Sequence, residues 1–180
     1  KVYDTTIGDP PYREEHLLGG ILPYEVSKVC ADVLTRGYAQ SYGLPVAVAR
    51  CGNLYGPGDL QWSRIVPGTI RSLLGGERPV IRSDGNPVRD YFYVEDAAEA
   101  FLALGAGLLQ REDLRGEALN FGTGQPTRVL DLVGMLVRRS GRDLPPIVQG
   151  EARGEIVAQY LDCGKARRLL GWTSRTGLLE

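Results

Sequence analysis

The sequence predicts an α/β fold, with short strands buried in a parallel sheet, helices laid on it, and smaller strands forming a mixed unit at its edge. Three observations carry this prediction. Residues 46–52, Val-Ala-Val-Ala-Arg-Cys-Gly, form a short valine-rich apolar run of the kind covered on both faces in a parallel sheet. Strand-like and helix-like segments alternate through all 180 residues, with no repeat at a fixed period and no low-complexity tract. The 24 glycines and 11 prolines supply many short connections, which argues against a plain helical bundle.

Between Tyr24 and about Ser41, the apolar residues Val26, Val29, Cys30, Val33, Leu34 and Tyr38 recur at intervals of three and four, predicting a helix whose apolar stripe lies on the sheet. Pro23 sets its start and Gly43 its end. The buried strand follows, then a Gly- and Pro-rich loop from Asn53 to Asp59, then a helix from Gln61 to Leu74 with Pro67 in its first turns. Pro79–Arg82 reads as a strand, Ser83-Asp84-Gly85-Asn86 as a turn, and Arg89–Val94 as a strand alternating charged and aromatic residues. A helix is expected at 96–109, a strand at Glu117–Phe121, and a helix from Thr127 to Ser140 closed by Gly141. Short strands near 146–148 and 155–160, and a helix over 163–170 opened by Asp162, complete the chain.

Composition narrows the function classes. With 43% hydrophobic and 24% charged residues, the chain is of ordinary globular type, long enough for one core. Its 21 Lys+Arg against 22 Asp+Glu give a net charge of −1, so no global basic field gathers nucleic acid or an anionic membrane, and neither is expected as a partner. Cys30, Cys51 and Cys163 form no C-x-x-C pair and are odd in number, which favours a reducing, cytoplasmic setting over a disulfide framework or zinc site. The one histidine, His16, lies in a polar loop and is expected to be a surface residue; a His-rich metal centre or a Ser-His-Asp triad has no material here. The opening Lys1-Val2-Tyr3-Asp4 has no initiator Met and no signal or transit segment, and reads as entering mid-strand in a longer protein.

The first candidate for chemistry is Tyr24-Glu25-Val26-Ser27-Lys28, because residues four apart on a helix share a face. That face lies opposite the apolar stripe, so the pair is presented to a cleft or to solvent. A free phenol titrates near ~10, and a neighbouring ammonium stabilises the phenolate, so Tyr24 can serve as a base. The same spacing also arises on solvated helices. Gly122-Thr-Gly124-Gln-Pro-Thr127 follows a strand and opens a helix, as a dinucleotide fingerprint would, but it lacks the third glycine and carries Pro126 at the turn. Gly56-Pro-Gly58 lacks the third glycine as well. No phosphate-cradling loop for NAD is read from these residues.

Taken in order, Tyr24-x-x-x-Lys28, Arg50-Cys-Gly-Asn53-Leu-Tyr-Gly56-Pro-Gly58, Arg89-Asp90-Tyr91-Phe-Tyr-Val94-Glu-Asp96, Asn120-Phe-Gly122-Thr-Gly124, Arg153-Gly-Glu155 and Leu170-Gly-Trp172 resemble the extended short-chain dehydrogenase/reductase family of nucleotide-sugar epimerases and dehydratases. The resemblance covers essentially the whole chain, as the C-terminal portion of such an enzyme. It implies the C-terminal part of a Rossmann-type doubly wound parallel sheet with a small mixed α/β substrate-binding cap. Residues 1–60 would close the NAD-binding domain, and 61–180 would be mainly cap, with 90–115 returning to the core sheet. It implies NAD as cofactor and a nucleotide-diphosphate sugar as substrate. Tyr24 would take the proton of the sugar hydroxyl being oxidised, and Lys28 would bind the nicotinamide ribose and lower the tyrosine pKa. Asn53 would bind the sugar diphosphate; Arg89 and Arg153 would pair with diphosphate oxygens, which suit a guanidinium fork, and Arg64 would add a basic substrate contact. Read without the resemblance, each arginine is an ordinary solvated charge.

Lys1 before Val2-Tyr3 resembles the Asp-Lys variant of the dehydratase acid/base pair found in CDP-glucose 4,6-dehydratases, and would help supply or hold the proton needed for loss of water from C6. Arg89-Asp90-Tyr91 is closer to the epimerases and thymidine-type dehydratases. The expected reaction is therefore 4,6-dehydration of a nucleotide hexose, CDP-glucose first, with 4-epimerisation as the rival on the same fold and a non-catalytic sugar-nucleotide-binding remnant as the rival of another class. A homodimer through paired helices, one of them the Tyr24 helix, is implied for the full-length protein. The chain by itself is expected to bind NAD poorly and turn over little.

Overall fold

The computed structural model describes residues 2–151 and 155–178. Helix α1 runs Pro23–Tyr42, and after it come strands β1 (Val48–Cys51) and β2 (Asn53–Tyr55), helix α2 (Ile65–Leu74), and the short strands β3 (Val80–Ile81), β4 (Val88–Arg89) and β5 (Tyr91–Tyr93). Helix α3 spans Val94–Gln110; β6 (Ala118–Phe121), β7 (Thr127–Arg128), α4 (Val129–Ser140), β8 (Ile147–Val148), β9 (Ala158–Gln159) and α5 (Gly164–Leu170) follow. No described helix is long and apolar enough to cross a membrane.

The centre of the fold is a forked strand. Residues 48–51 pair in parallel with 118–121, whereas 53–55 change partner and pair in parallel with 91–93. The switch falls at Gly52, whose N–H donates to the Phe121 carbonyl, while the next N–H, of Asn53, donates to the Asp90 carbonyl at 2.7 Å. A β-carbon at Gly52 would stand 2.9 Å from that Asp90 oxygen, so the two chains can approach this closely only without a side chain. Below the fork, Phe92, Leu119, Phe121, Ala97, Ala100 and Trp172 form the main core, with the indole edge-on to both phenylalanine rings. The outer strands make the mixed unit: β4 pairs antiparallel with β7 and parallel with β9, and β3 pairs in parallel with β8.

Three differences from the sequence expectations have physical causes. Residues 53–55 form a strand within the expected loop, because their partner lies at 91–93 and local turn formers mask it. The helix expected from Gln61 begins at Ile65, because the Asp59 carboxylate accepts the Gln61 N–H at 3.0 Å and holds the chain in a turn. The apolar stripe of α1 does not lie on the sheet: Val26, Cys30, Val33, Leu34 and Tyr38 are exposed, and the buried positions are Asp32 and Ala39. An ion pair takes the inward face in place of the stripe.

Candidate functional site

Tyr24 and Lys28 stand one turn apart at the start of α1, the lysine Nζ 5.4 Å from the centroid of the phenol ring. Pro23 occupies the first helical position, and the Glu25 side chain accepts the N–H groups of Ile21 and Leu22 at 3.2 and 3.3 Å, so the chain entering the helix is held in place. Both residues line a recess of about 520 Å³ between α1 and β1. Asn53 lines the same recess from just past the fork, as do Asp32, Arg50 and Tyr3. Tyr24, Lys28 and Asn53 are thus brought together.

The floor of this recess is a buried polar network centred on Arg50. Its Nε and second terminal nitrogen donate to the two Asp32 oxygens at 2.8 and 3.1 Å, and its remaining nitrogen donates to the Tyr3 hydroxyl at 3.0 Å and the Glu14 carbonyl at 3.2 Å. The Tyr3 hydroxyl donates onward to the Asn120 side-chain oxygen, and the Asn120 amide donates to the carbonyls of Tyr12 and Asp162. Tyr3 also stacks on Tyr12, with ring centroids 5.3 Å apart. Burial works against the Arg50 charge, but the hydrogen bonds to Asp32 and the Tyr3 oxygen outweigh it and hold the guanidinium protonated. Burial also pushes the Tyr3 phenol up to about 12, against the opposing pull of Arg50. Tyr3 is therefore a neutral, fixed wall and not a base.

That wall has a second side. Tyr3 also lines a recess of about 630 Å³ formed with Asp4, Gly8–Pro10, Gly20–Leu22 and Glu155–Ala158. Glu155 is shared in turn with a third recess, of about 380 Å³, lined by Trp62, Arg64, Thr69, Ile81 and Arg82. Three adjoining hollows thus run from the Tyr24–Lys28 pair to Arg64. Arg64 is exposed there and pairs with Asp59 at 3.1 Å. The Gln61 N–H and Arg64 together hold the Asp59 carboxyl below the usual carboxylate range. Arg89 lies apart from all three hollows: half-buried, it donates to the carbonyls of Val88 and Ile156 at 2.8 and 2.7 Å. Burial lowers its pKa from the ordinary guanidinium value, partly countered by Glu155 and Tyr91. Lys1 and Arg153 lie outside the described residues.

His16 is half-buried, edge-on to Tyr12 at 5.8 Å, and so is more enclosed than its polar loop implied. The Gly122-Thr-Gly124 turn has the N–H groups of a phosphate cradle, but they already have an anion. The Asp90 carboxylate, 1% exposed, accepts the Thr123 N–H at 2.9 Å, the Thr123 hydroxyl at 2.6 Å and the Gly124 N–H at 3.0 Å. Any β-carbon at Gly122 would collide with that carboxylate. Among the described residues, no group of three His, Cys, Asp or Glu side chains is placed to hold a metal ion.

Sequence reasoning singled out Arg50, Asp90 and Asn120 only as parts of motifs and missed Asp32, Tyr3 and Glu14 as members of the network. One signal for Asp32 was available: it lies four residues after Lys28 and so continues the Tyr24–Lys28 row on the helix.

The chain is similar to several known proteins. A trifunctional enzyme of Arabidopsis thaliana, a UDP-glucose 4,6-dehydratase, 3,5-epimerase and 4-keto-L-rhamnose reductase, is 34% identical over 156 residues, 86% of this chain and 22% of that protein. The CDP-glucose 4,6-dehydratase of Salmonella typhimurium is 29% identical over 193 aligned positions, covering 100% of this chain and 53% of that enzyme. Among solved structures, the UDP-glucose 4-epimerase of Thermotoga maritima, determined with UDP-glucose, superposes with a TM-score of 0.85 at 30% identity, over 99% of this chain and 56% of that one. The chain thus spans between about a fifth and about half of the length of these relatives, and its fold is the Rossmann-like α/β fold they share. A sequence model of the NAD dependent epimerase/dehydratase family matches residues 2–122, from the Tyr3 wall through the Tyr24–Lys28 helix and the fork to the Asp90-capped turn, and the chain belongs to that family.

Proposed function

We propose that the protein carrying this chain is a nucleotide-sugar 4,6-dehydratase that uses NAD, and that Tyr24 and Lys28 are its proton-handling pair. The observation that supports this most directly is the pair itself, stacked at 5.4 Å in a recess that adjoins two further hollows. A nucleotide sugar is a long, two-ended ligand, and adjoining hollows with Asn53 in the first and Arg64 in the last suit a hexose at one end and a nucleotide at the other. Arg153 and Arg89, which the resemblance assigns to the diphosphate, are part of this proposal; one terminal nitrogen of Arg89 donates to the Val88 and Ile156 carbonyls, so a diphosphate would be met by the rest of the guanidinium.

The residues present fit the nicotinamide-ribose end of NAD, because a phenol and an ammonium open together into one recess. Among the described residues, the Thr123 and Gly124 N–H groups are committed to Asp90 and so are not offered to its pyrophosphate. NAD, when bound, would supply the oxidation of sugar C4 and the matching reduction later in the reaction. Tyr24 would take the proton from the C4 hydroxyl as that carbon is oxidised. Lys28 would hold the phenolate form by its charge and orient the cofactor ribose. Asn53 would hold the sugar diphosphate, and Tyr3 would present a neutral face to the sugar. Lys1 would serve the elimination of water across C5 and C6. We assign residues 1–60 and 90–115 to the core, with β6 attached through its pairing to β1, and most of 61–180 to the cap. We also propose a homodimer through α1, whose outward face carries Val33, Leu34, Tyr38 and Tyr42.

The test is incubation of the intact protein with CDP-, dTDP-, GDP- and UDP-glucose, reading the base-induced absorbance of a 4-keto sugar. A 4-keto-6-deoxy product is expected, with CDP-glucose the first candidate. Formation of a C4 epimer with no keto-deoxy species selects the second reading, a 4-epimerase, which the Thermotoga relative favours. Tyr24→Phe is expected to abolish turnover while nucleotide-sugar binding is retained; unchanged turnover would remove the catalytic assignment.

A further inference from the structure

Tyr24, Lys28 and Asp32 follow one another at intervals of one helical turn and share a face of α1. Their environments differ sharply: Tyr24 is 61% exposed at the mouth of the first recess, whereas Asp32 is 3% exposed at its floor. Ala39 is the other buried residue of this 20-residue helix. A methyl group packs without direction, and the apolar stripe that would ordinarily fix a helix against a sheet points outward here. Asp32 is different, because its two oxygens meet two nitrogens of Arg50 on β1 in a fork that defines both distance and plane. The rest of the Arg50 guanidinium is anchored on Tyr3 and on the Glu14 carbonyl, so it cannot follow the helix if the helix turns.

We propose that Asp32 and Arg50 are positioning residues for the reaction, fixing the rotation of α1 on β1 so that Tyr24 and Lys28 point into the recess. This rests on the catalytic reading of Tyr24 given above. The leverage is large. A turn of about 20° moves a group at a helix surface radius of about 6 Å by roughly 2 Å, and a misplacement of about 1 Å can cost on the order of a hundredfold in rate. The inference concerns kcat, since the Asp32 oxygens and the Arg50 nitrogens are engaged with one another, with the Tyr3 hydroxyl and with the Glu14 carbonyl.

The experiment uses the intact protein, with the best substrate from the four nucleotide glucoses, and compares Asp32→Asn, Asp32→Glu, Arg50→Lys and Tyr24→Phe. Asp32→Asn is expected to lower kcat by about tenfold or more with KM within about twofold. It should also move the acidic limb of the kcat–pH profile to higher pH, as Lys28 loses its place beside the phenol. Asp32→Glu, which keeps the charge and the fork, should restore most of the lost kcat and return the limb toward its original position. Where Asp32→Asn does not accumulate in folded form, Arg50→Lys carries the test: it keeps the charge, loses the fork, and should lower kcat by about threefold or more with the same displacement of the limb. Folded variants with unchanged kcat overturn the proposal. So does a loss of activity proportional to the folded fraction with the pH profile unmoved, which would mark the pair as structural only. If Tyr24→Phe leaves turnover intact, the catalytic reading fails first, and that result is distinct from any outcome at Asp32 or Arg50.

Discussion

Replacing Asp90 by asparagine tests whether an internal carboxylate organises the turn after β6. The carboxylate accepts from the Thr123 N–H, the Thr123 hydroxyl and the Gly124 N–H, and is itself almost fully buried. Asparagine keeps the shape but has one acceptor oxygen, so its NH₂ group must face a donor. One charge-assisted hydrogen bond of about 1.5–3 kcal/mol is lost, and the surviving two each fall by about 0.5–1 kcal/mol once the acceptor is neutral. The sum is about 2.5–5 kcal/mol, which corresponds to roughly 5–20 °C in Tm for a unit of this size. Differential scanning fluorimetry of the intact protein, paired with urea unfolding, reads the change. Asp90→Ala should cost more, because all three donors are left without their acceptor. A shift below about 2 °C for Asp90→Asn would refute the reasoning, since it would mean that water replaces the carboxylate without loss.

Gly52→Ala places a β-carbon against the Asp90 carbonyl oxygen and should destabilise by about 1–3 kcal/mol, read as a lowered urea midpoint; a neutral outcome would show that the fork can open without cost. Burial pushes the Cys51 thiol up to about 11 and the Cys163 thiol up to about 12, so neither should react with a maleimide at pH 8 until the protein is unfolded; rapid native labelling of either would contradict its burial. Stability should fall at alkaline pH. Burial, first among the causes, also raises the Tyr3 and Tyr91 phenols to about 12, with Arg50 and Arg89 respectively opposing it. A folded pKa above the unfolded one means that the contribution is complete below the unfolded value and disappears as pH rises through the folded value. The loss should begin near pH ~9, where unfolded thiols ionise, and steepen from about 10 to about 12, at up to about 1.4 kcal/mol per pH unit for each group. Tyr91→Phe should make that slope shallower, and an unfolding midpoint flat to pH 11 would contradict the assignment.

Much of the architecture is legible in the sequence because its signals are local. Helix α4 announces itself by Val129, Leu132, Val133 and Val137 and by the glycine after Ser140, and β1 by its valines. What stays hidden depends on partners distant in the chain. No window around Asn53 contains Tyr91, so β2 looks like a loop until the two segments meet. The inward face of α1 misleads for a related reason: a hydrophobic pattern reports where apolar groups lie, and here the burial is ionic, with Arg50 18 residues away. At the site, the Tyr24–Lys28 spacing and Asn53 are visible because helical periodicity and motif order suffice. The commitment of Arg89 to two carbonyls is not, because it is set by the position of Ile156, 67 residues downstream.

The partition between the first and second hollows is a phenol tied on both flanks, accepting a hydrogen bond from Arg50 and donating one to Asn120. On the function proposed above, carving that partition to alter a sugar preference would also loosen the helix that bears Tyr24. On the same proposal, the opposite bank, Gly8–Pro10 and Glu155–Ala158, is where selectivity would drift while the chemistry stays in register.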